Sequence, residues 1–157
     1  METELFERCL SLVSELGIAE TLISAEPLTG GVASDIAVVQ LADKKICIKF
    51  ALAKLRAKAA WFAPVHRNAA EYAWLKVAAE VAPEAAVKLL GHSPSQHGFA
   101  MEFIEGDSVY LWKQALLDSQ APQGEAAKIG ALLGKIHQAS TQTGFDASKF
   151  QNQDDFW

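Results

Sequence analysis

The run Ile-Cys-Ile-Lys-Phe-Ala at residues 46–51 has the alternating pattern of a β-strand. Successive side chains of a strand point to opposite faces, so the large apolar residues Ile46, Ile48 and Phe50 share one face. Lys49 lies on the other face, with the small Cys47 beside it. The pattern therefore predicts a strand that packs one face against a core and carries a lysine on the opposite face.

Further strands are predicted on both sides of this run. Short runs rich in Ile and Val fill residues 21–50, and they are punctuated by Thr-Gly-Gly at 29–31 and Ala-Asp-Lys-Lys at 42–45, which indicates three strands in a meander. Residues 86–90 and 99–104 flank a segment rich in turn residues, which predicts a hairpin. We therefore expect a five-stranded antiparallel sheet.

Apolar spacing predicts helices at both ends of the chain. Residues 4–16 carry Leu and Cys at the spacing of one helical face, and Gly17 follows as a stop signal. Residues 122–140 repeat apolar side chains with the same period, and Gly130 and Gly134 would allow a neighbour to approach closely. With the sheet between them, these helices predict an α+β fold.

An alanine-rich segment at residues 52–81 favours helix and is interrupted by Pro64. We therefore expect two helical pieces, the second running from Asn68, as N-cap, to Val81. On that second piece Glu71 is a carboxylate on a helix that is otherwise covered by apolar stripes.

Composition limits the classes of protein that fit. The chain has 157 residues, 50% of them hydrophobic and 21% charged, which is typical of one folded domain. Its formal charge of −5 argues against a nucleic-acid surface, which needs a broad basic footprint. Mean hydropathy is +0.09, and no apolar run is long enough to span a membrane. We expect neither nucleic acid nor a membrane as partner.

Cysteines and histidines give no sign of a metal or a disulfide scaffold. The two cysteines, Cys9 and Cys47, are far apart, and the four histidines lack ligand spacing. With an acidic N-terminus and no signal peptide, a reducing cytoplasm is the expected compartment. Lys49 could lower the pKa of Cys47 on the same strand face, or Cys47 could simply be a small buried filler.

Four features of the sequence occur in an order that bears on function. They are the glycine turn Gly30-Gly31, the strand lysine Lys49, the helix carboxylate Glu71 and a short connector after the hairpin, at 101–106. Taken singly, each reads as a plain turn, a solvated lysine, an exposed helix position or a loop. Taken together, they match the nucleotide lobe of a kinase-like fold.

The resemblance extends to particular stretches of sequence. Residues 28–35 (LTGGVASD) and 46–51 (ICIKFA) resemble the phosphate loop and lysine strand of the aminoglycoside phosphotransferase and choline kinase-like superfamily. Residues 101–106 (MEFIEG) resemble its connector, and 132–137 (LLGKIH) the helix that follows. Residues 51–75 are also similar to relatives of methylthioribose kinase. The resemblance covers residues 20–157.

This resemblance implies a protein-kinase-like N-lobe with a lysine-pairing helix. After the N-terminal helix at 1–20, which its own spacing predicts, the resemblance implies a nucleotide-binding lobe at 21–104 and the connector with the first helices of an incomplete C-lobe at 105–157. The implied function is that of an ATP-dependent phosphotransferase acting on a small-molecule hydroxyl, with ATP and Mg²⁺ as cofactors. Aminoglycoside, choline, methylthioribose and homoserine all stay open as acceptors.

The resemblance also implies roles at the phosphate end of the site. It places Gly30, Gly31 and Ser34 over the ATP phosphates, although the loop lacks G-x-G-x-x-G. It places Lys49 on the α- and β-phosphates and makes Glu71 the ion-pair partner of that lysine.

At the adenine end, the resemblance assigns the base hydrogen bonds to the carbonyl of Glu102 and the amide of Ile104. Met101 would line the back of the pocket and Ile36 would cover the base. Both apolar residues fit an ordinary core role equally well.

The catalytic segment of this superfamily, H-x-D-x-x-x-x-N, does not occur in the sequence. The stretch that begins at His97 lacks the aspartate, and Asp146 and Asn152 are separated by five residues instead of four. Together with the aromatic pair Phe156-Trp157 at the end, this favours an interrupted chain that is inactive alone, with no catalytic residue and with Mg²⁺ ligands in a later segment.

Two other functions remain open. One is a non-catalytic nucleotide-binding or regulatory module, such as a pseudokinase-like product, which the missing segment favours. The other is a structural α+β interaction domain without a ligand, in which Lys49 and Glu71 are ordinary surface residues.

Overall fold

The structure is a computed structural model that describes residues 2–28, 31–107 and 109–150. Within these residues, four α-helices and a short 3-10 helix accompany a five-stranded antiparallel sheet, so the predicted α+β fold is confirmed. In chain order the elements are α1 (Glu2–Glu15), β1 (Ser24–Leu28), β2 (Ser34–Gln40), β3 (Lys45–Ala51), α2 (Arg67–Val81), β4 (Leu89–Ser93), β5 (Gly98–Glu102), α3 (Trp112–Leu117), α4 (Glu125–Ser140) and the 3-10 helix Ala147–Phe150.

Strand β3 lies at the centre of the sheet. The strands are ordered β1-β2-β3-β5-β4, and every neighbouring pair is antiparallel. Lys49 is opposite Ile36 of β2 on one side and opposite Phe99 of β5 on the other. The meander and the hairpin predicted from the sequence therefore meet along the lysine-bearing strand.

The hydrophobic core lies between helix α1 and one face of the sheet. Cys9, Leu12 and Val13 of α1 are fully buried against Ile48 and Phe50 of β3. Burial of a side chain of this size contributes about 1.5–3 kcal/mol, so the amphipathic pattern of residues 4–16 accounts for the docking of the helix. The prediction that the large residues of 46–51 share a core face is confirmed.

Helix α2 covers part of the other face. Tyr72 stacks on His92 of β4, with 4.9 Å between ring centroids, and contacts Phe99 of β5 at 5.7 Å. Over β2, by contrast, Ile36 and Val38 are only half-buried. This face therefore has a packed side under α2 and a more accessible side over β1, β2 and β3.

The prediction of a first helical piece in residues 52–81, ahead of Pro64, is wrong. Residues 52–63 form an irregular excursion, in which Lys54 bridges Phe62 and the amide of Leu55 donates to the carbonyl of Trp61 at 2.9 Å. The amide of Arg56 also donates to the carbonyl of Val32. These bonds continue the edge of the sheet beyond β3, and they override the weak helix preference of alanine.

The prediction that Asn68 is the N-cap of α2 is also wrong. Helix α2 begins one residue earlier, after His66, and no side chain caps it. The side chain of Asn68 is buried instead, and its Oδ1 lies 3.1 Å from Nε2 of His92. The asparagine ties the helix to β4 because an amide buried at that position needs a hydrogen-bond partner.

Smaller differences concern the ends of elements. Strand β4 continues to Ser93, so the hairpin loop is shorter than predicted, and α4 begins after Gly124, whose φ of 88° is left-handed. No atom in the described residues comes within 4 Å of a Cβ built on Gly130 or Gly134, so the close approach expected there does not occur. Across the residues that the structure describes, no helix combines the length and apolar character needed to cross a membrane.

Candidate functional site

An ion pair joins the central strand to helix α2. Nζ of Lys49 donates to Oε1 of Glu71, and the two side chains are 21% and 39% exposed. A half-buried ammonium is costly without an anionic partner, and the carboxylate supplies one. The structure thus brings together the two charged residues that the sequence singled out.

Apolar side chains surround this pair on the same face of the sheet. Residues directly opposite in an antiparallel sheet share a face, so Ile36 lies beside Lys49, and Met101 lies beside Cys47 one row away. Ser34 stands opposite Ala51 at the far end and is buried. The face therefore carries Lys49 among half-buried apolar side chains, with Lys45 at the start of the same strand.

The residues just before β2 lie at one end of this face. Gly30 lies outside the described residues, whereas Gly31 is described. A Cβ on Gly31 would lie 2.9 Å from the carbonyl oxygen of Ser34, so no side chain fits there without movement. The backbone at Gly31 therefore lies close to the start of β2, as a glycine permits.

The connector after β5 lies at the opposite end. Glu102 is the last residue of β5 and faces Ile46 across the sheet. Its carboxylate accepts a hydrogen bond from the backbone amide of Lys88 at 2.7 Å, so the side chain is bonded within the hairpin itself. Ile104 is 53% exposed, and no group in the described part of the chain hydrogen-bonds to its amide. The Ile104 amide, two residues beyond the end of β5, is thus a donor without a partner among the described residues.

A second ion pair anchors the connector. Nζ of Lys45, the first residue of β3, lies 2.6 Å from Oε2 of Glu105. Beside it, a cavity of about 280 Å³ opens on the lysine face, lined in part by Val38, Gln40 and Phe103. Larger cavities of about 740 and 550 Å³ lie between α1 and β1 and beside the C-terminal half of α2, away from Lys49.

The environment of the thiols corrects one expectation. Burial raises the pKa of Cys47, and the positive charge of Lys49 opposes that rise without overcoming it. Burial likewise raises the pKa of Cys9 to about 11. The lowered pKa considered for Cys47 is therefore wrong, and its burial fits the alternative of a small filler.

Sequence reasoning missed the partners of Asp35. This carboxylate lies on the core face of β2, accepts from Arg8 of α1 at 3.0 Å and pairs with Arg56. The guanidinium of Arg8 also lies over the ring of Phe50, 4.3 Å from its centroid. A signal was available, because an acidic residue in phase with core residues requires a cation, and Arg8 is in helical phase with Leu12.

Arg67 was also missed as a site residue. Its guanidinium donates to four backbone carbonyls, those of Ala33, Leu52, Ala63 and Pro64. No periodicity reveals such a set, because the carbonyls belong to segments up to 34 residues away. The contact fastens the start of α2 to the turn before β2.

The residues near the C-terminus do not form a second site in the described part of the chain. Oδ1 of Asp146 accepts from the amide and the hydroxyl of Ser148, at 3.0 and 2.5 Å, and these bonds lower the pKa of the aspartate. The aspartate thus caps the 3-10 helix, while Asn152, Phe156 and Trp157 lie outside the described residues. No cluster of three or more His, Cys, Asp or Glu suited to a metal ion occurs in residues 2–28, 31–107 and 109–150.

The arrangement suits a ligand with a flat apolar part and an anionic part. Met101 lies towards the connector, and Lys49, with Ile36 beside it, lies further along β3, towards the start of β2. Comparison with protein-family models and with curated proteins gives no match for this sequence.

Proposed function

We propose that this chain is the nucleotide-binding portion of an ATP-dependent phosphotransferase that acts on a small-molecule hydroxyl. The observation that carries the proposal is the ion pair between Lys49 and Glu71 on the open side of the sheet. In a kinase-like lobe the strand lysine neutralises phosphate charge, and the helix glutamate holds that lysine in place. The lobe resemblance seen in the sequence supports the same assignment.

The spacing along β3 suits a nucleotide. Ile46 lies opposite Glu102 at the connector, and Lys49 comes three residues later, which is ~10 Å along a strand. An extended nucleotide separates its base from its phosphates by a comparable length. The base would contact Ile36 and Met101, and the Ile104 amide would donate to it.

Lys49 would then lie on the α- and β-phosphates. Its ammonium would offset their negative charge, and Glu71 would prevent the side chain from relaxing towards solvent. Ser34 and the backbone around Gly31 would lie over the phosphates. Mg²⁺, when bound, would offset further charge on the transferred phosphoryl group.

The proposal assigns no catalytic residue to residues 1–157. Phosphoryl transfer needs a carboxylate that orients the acceptor hydroxyl and ligands that hold Mg²⁺, and the sequence contains no H-x-D-x-x-x-x-N segment to supply them. The part of the reaction assigned to this chain is nucleotide binding, with inactivity expected when it is isolated.

Isothermal titration with ATP and with adenosine tests the proposal. Lys49→Ala should weaken ATP binding at least about tenfold, or ~1.4 kcal/mol, and should leave adenosine binding unchanged because adenosine has no phosphates. Lys44→Ala is the matched control, since it removes one positive charge from the exposed turn before β3. Equal ATP binding by the unaltered chain and Lys49→Ala would overturn the assignment.

A non-catalytic nucleotide-binding or regulatory module is the second candidate. The missing H-x-D-x-x-x-x-N segment favours it, and it predicts the same binding data. Magnesium-dependent ATP turnover by the natural full-length protein would exclude it. A ligand-free interaction domain is separated from both, because it predicts no thermal shift with any nucleotide.

A further inference from the structure

The guanidinium of Arg67 is bonded entirely to backbone carbonyls. Nη1 donates to Ala63 at 3.1 Å and to Pro64 at 2.7 Å, and Nη2 donates to Ala33 at 2.6 Å and to Leu52 at 2.8 Å. No carboxylate in the described ranges pairs with it. The side chain therefore serves as a multiple donor, and its charge is uncompensated by an ion pair.

The four carbonyls belong to three separate segments. Ala33 ends the turn between β1 and β2, and Leu52 directly follows β3. Ala63 and Pro64 lead into α2. The carbonyl of Ala33 also accepts from the amide of Leu52 at 3.1 Å, so the turn and the end of β3 are already joined. Arg67 adds the start of the helix to this junction.

The position of Arg67 connects this junction to the ion pair. Arg67 is the first residue of α2, and Glu71 comes four residues later, so the two side chains lie on the same side of the helix, one turn apart. On the strand side, Lys49 precedes Leu52 by three residues. The same guanidinium thus holds the end of the strand that carries the lysine and the start of the helix that carries the glutamate.

We propose that Arg67 is a positioning residue for the phosphate end of the site. Its hydrogen bonds fix the first turn of α2 against Leu52, just after β3, and Ala33, just before β2, and they thereby keep Glu71 within reach of Lys49. This inference rests on the proposed function. Lysine cannot substitute, because one ammonium cannot span carbonyls that a planar guanidinium reaches from two nitrogens.

The test is Arg67→Lys in the full chain, titrated with ATP and with adenosine. The substitution keeps the positive charge but removes the planar guanidinium that donates from two nitrogens. ATP affinity should therefore fall about tenfold, while adenosine affinity stays unchanged. Arg8→Lys is the matched control on the opposite face of the sheet, and it should change neither affinity. Circular dichroism establishes that each variant is folded.

A double-mutant cycle separates positioning from a general structural role. If Arg67 acts through the ion pair, Arg67→Lys should cause no further loss of ATP affinity in a Lys49→Ala background. Additive losses, equal losses for ATP and adenosine, or ATP binding as tight as in the unaltered chain would each overturn the inference.

Hydrogen exchange on the unaltered chain keeps the inference testable if the variant does not fold. ATP should slow amide exchange in residues 31–34 and 67–71 together, because one side chain joins them, and protection of only one segment would contradict the inference. If the unaltered chain binds no ATP, both the proposed function and the inference that rests on it are wrong. If that chain binds ATP but Arg67→Lys binds equally well, only the inference fails.

Discussion

Lys49 and Glu71, 22 residues apart in sequence, meet as an ion pair between the central strand and the helix that crosses the sheet. The pair lies where the packed side of the sheet, under Tyr72, gives way to the accessible side around Ile36. The two side chains of the pair are therefore partly shielded from solvent and partly accessible to it. The proposed nucleotide binding depends on that placement.

Neutralising the glutamate should weaken phosphate binding more mildly than removing the lysine. Glu71→Gln keeps the shape but releases the ammonium from its anionic partner, so ATP affinity should fall roughly two- to tenfold, or about 0.4–1.4 kcal/mol. Adenosine affinity should not change. Titration calorimetry measures both, and Glu80→Gln, at an exposed position of the same helix, is the control. An unchanged ATP affinity in Glu71→Gln would show that the pair does not position the lysine.

Removing the charge of Asp35 should destabilise the fold. Its carboxylate is 17% exposed and is shared by Arg8 and Arg56, so Asp35→Asn leaves two cations without their partner. We expect a loss of about 1–3 kcal/mol in the free energy of unfolding. Urea denaturation followed by circular dichroism measures it. Asp43→Asn in the exposed turn before β3 should stay within about 0.5 kcal/mol, and an equally small effect at Asp35 would refute the assigned role.

Two glycine substitutions should have opposite effects on stability. A Cβ on Gly98 would lie 2.5 Å from Cδ1 of the buried Phe50 ring, so Gly98→Ala should cost about 1–3 kcal/mol. Gly134 is a helical position in α4 where a Cβ meets no atom of the described chain within 4 Å. Gly134→Ala should therefore stabilise the protein by up to about 1 kcal/mol. Melting temperatures of the two variants test the pair, and a destabilising Gly134→Ala would contradict the open surface.

Acid should weaken the contact between α2 and β4. Burial, and to a lesser extent the charge of His97, lower the pKa of His92, whose ring stacks on Tyr72 and hydrogen-bonds with Asn68. The unfolded chain therefore binds a proton more readily, so the free energy of unfolding should decrease as the pH falls below the ordinary value of 6.5.

Thermal melts between pH 8 and pH 5 measure this dependence. His92→Gln should flatten part of the profile, whereas His137→Gln, at an exposed position of α4, serves as the control. A profile that keeps its full slope in His92→Gln would place the titrating group elsewhere.

Much of the sheet could be predicted because its signals are local. The alternation at 46–51 set the two faces of β3, and the spacing of residues 4–16 set the apolar stripe of α1. The pairing of Lys49 with Glu71 was expected only from the resemblance to kinase-like lobes. Periodicity alone places each residue on its own element and does not bring the two together.

The rest depended on contacts between distant segments. Residues 52–63 are alanine-rich, which favours helix. The amides of Leu52 and Arg56 nevertheless donate to carbonyls just before β2, and local helix propensity carries no information about such distant pairing. The buried side chain of Asn68 hydrogen-bonds with His92 of β4 instead of capping helix α2. Arg67 donates to backbone carbonyls of three segments that are distant in sequence. Its role in joining them therefore follows only from the three-dimensional structure.

A nuclear magnetic resonance titration of the isotopically labelled chain with ATP tests whether a nucleotide binds on the face of the sheet that carries Lys49. We expect the amide signals of Ile36, Lys49, Met101 and Ile104 to shift together, while those of Leu12 and Val13 in the core-facing part of α1 do not shift. Shifts confined to α1 and β1, or no shifts with ATP at millimolar concentration, would contradict the account.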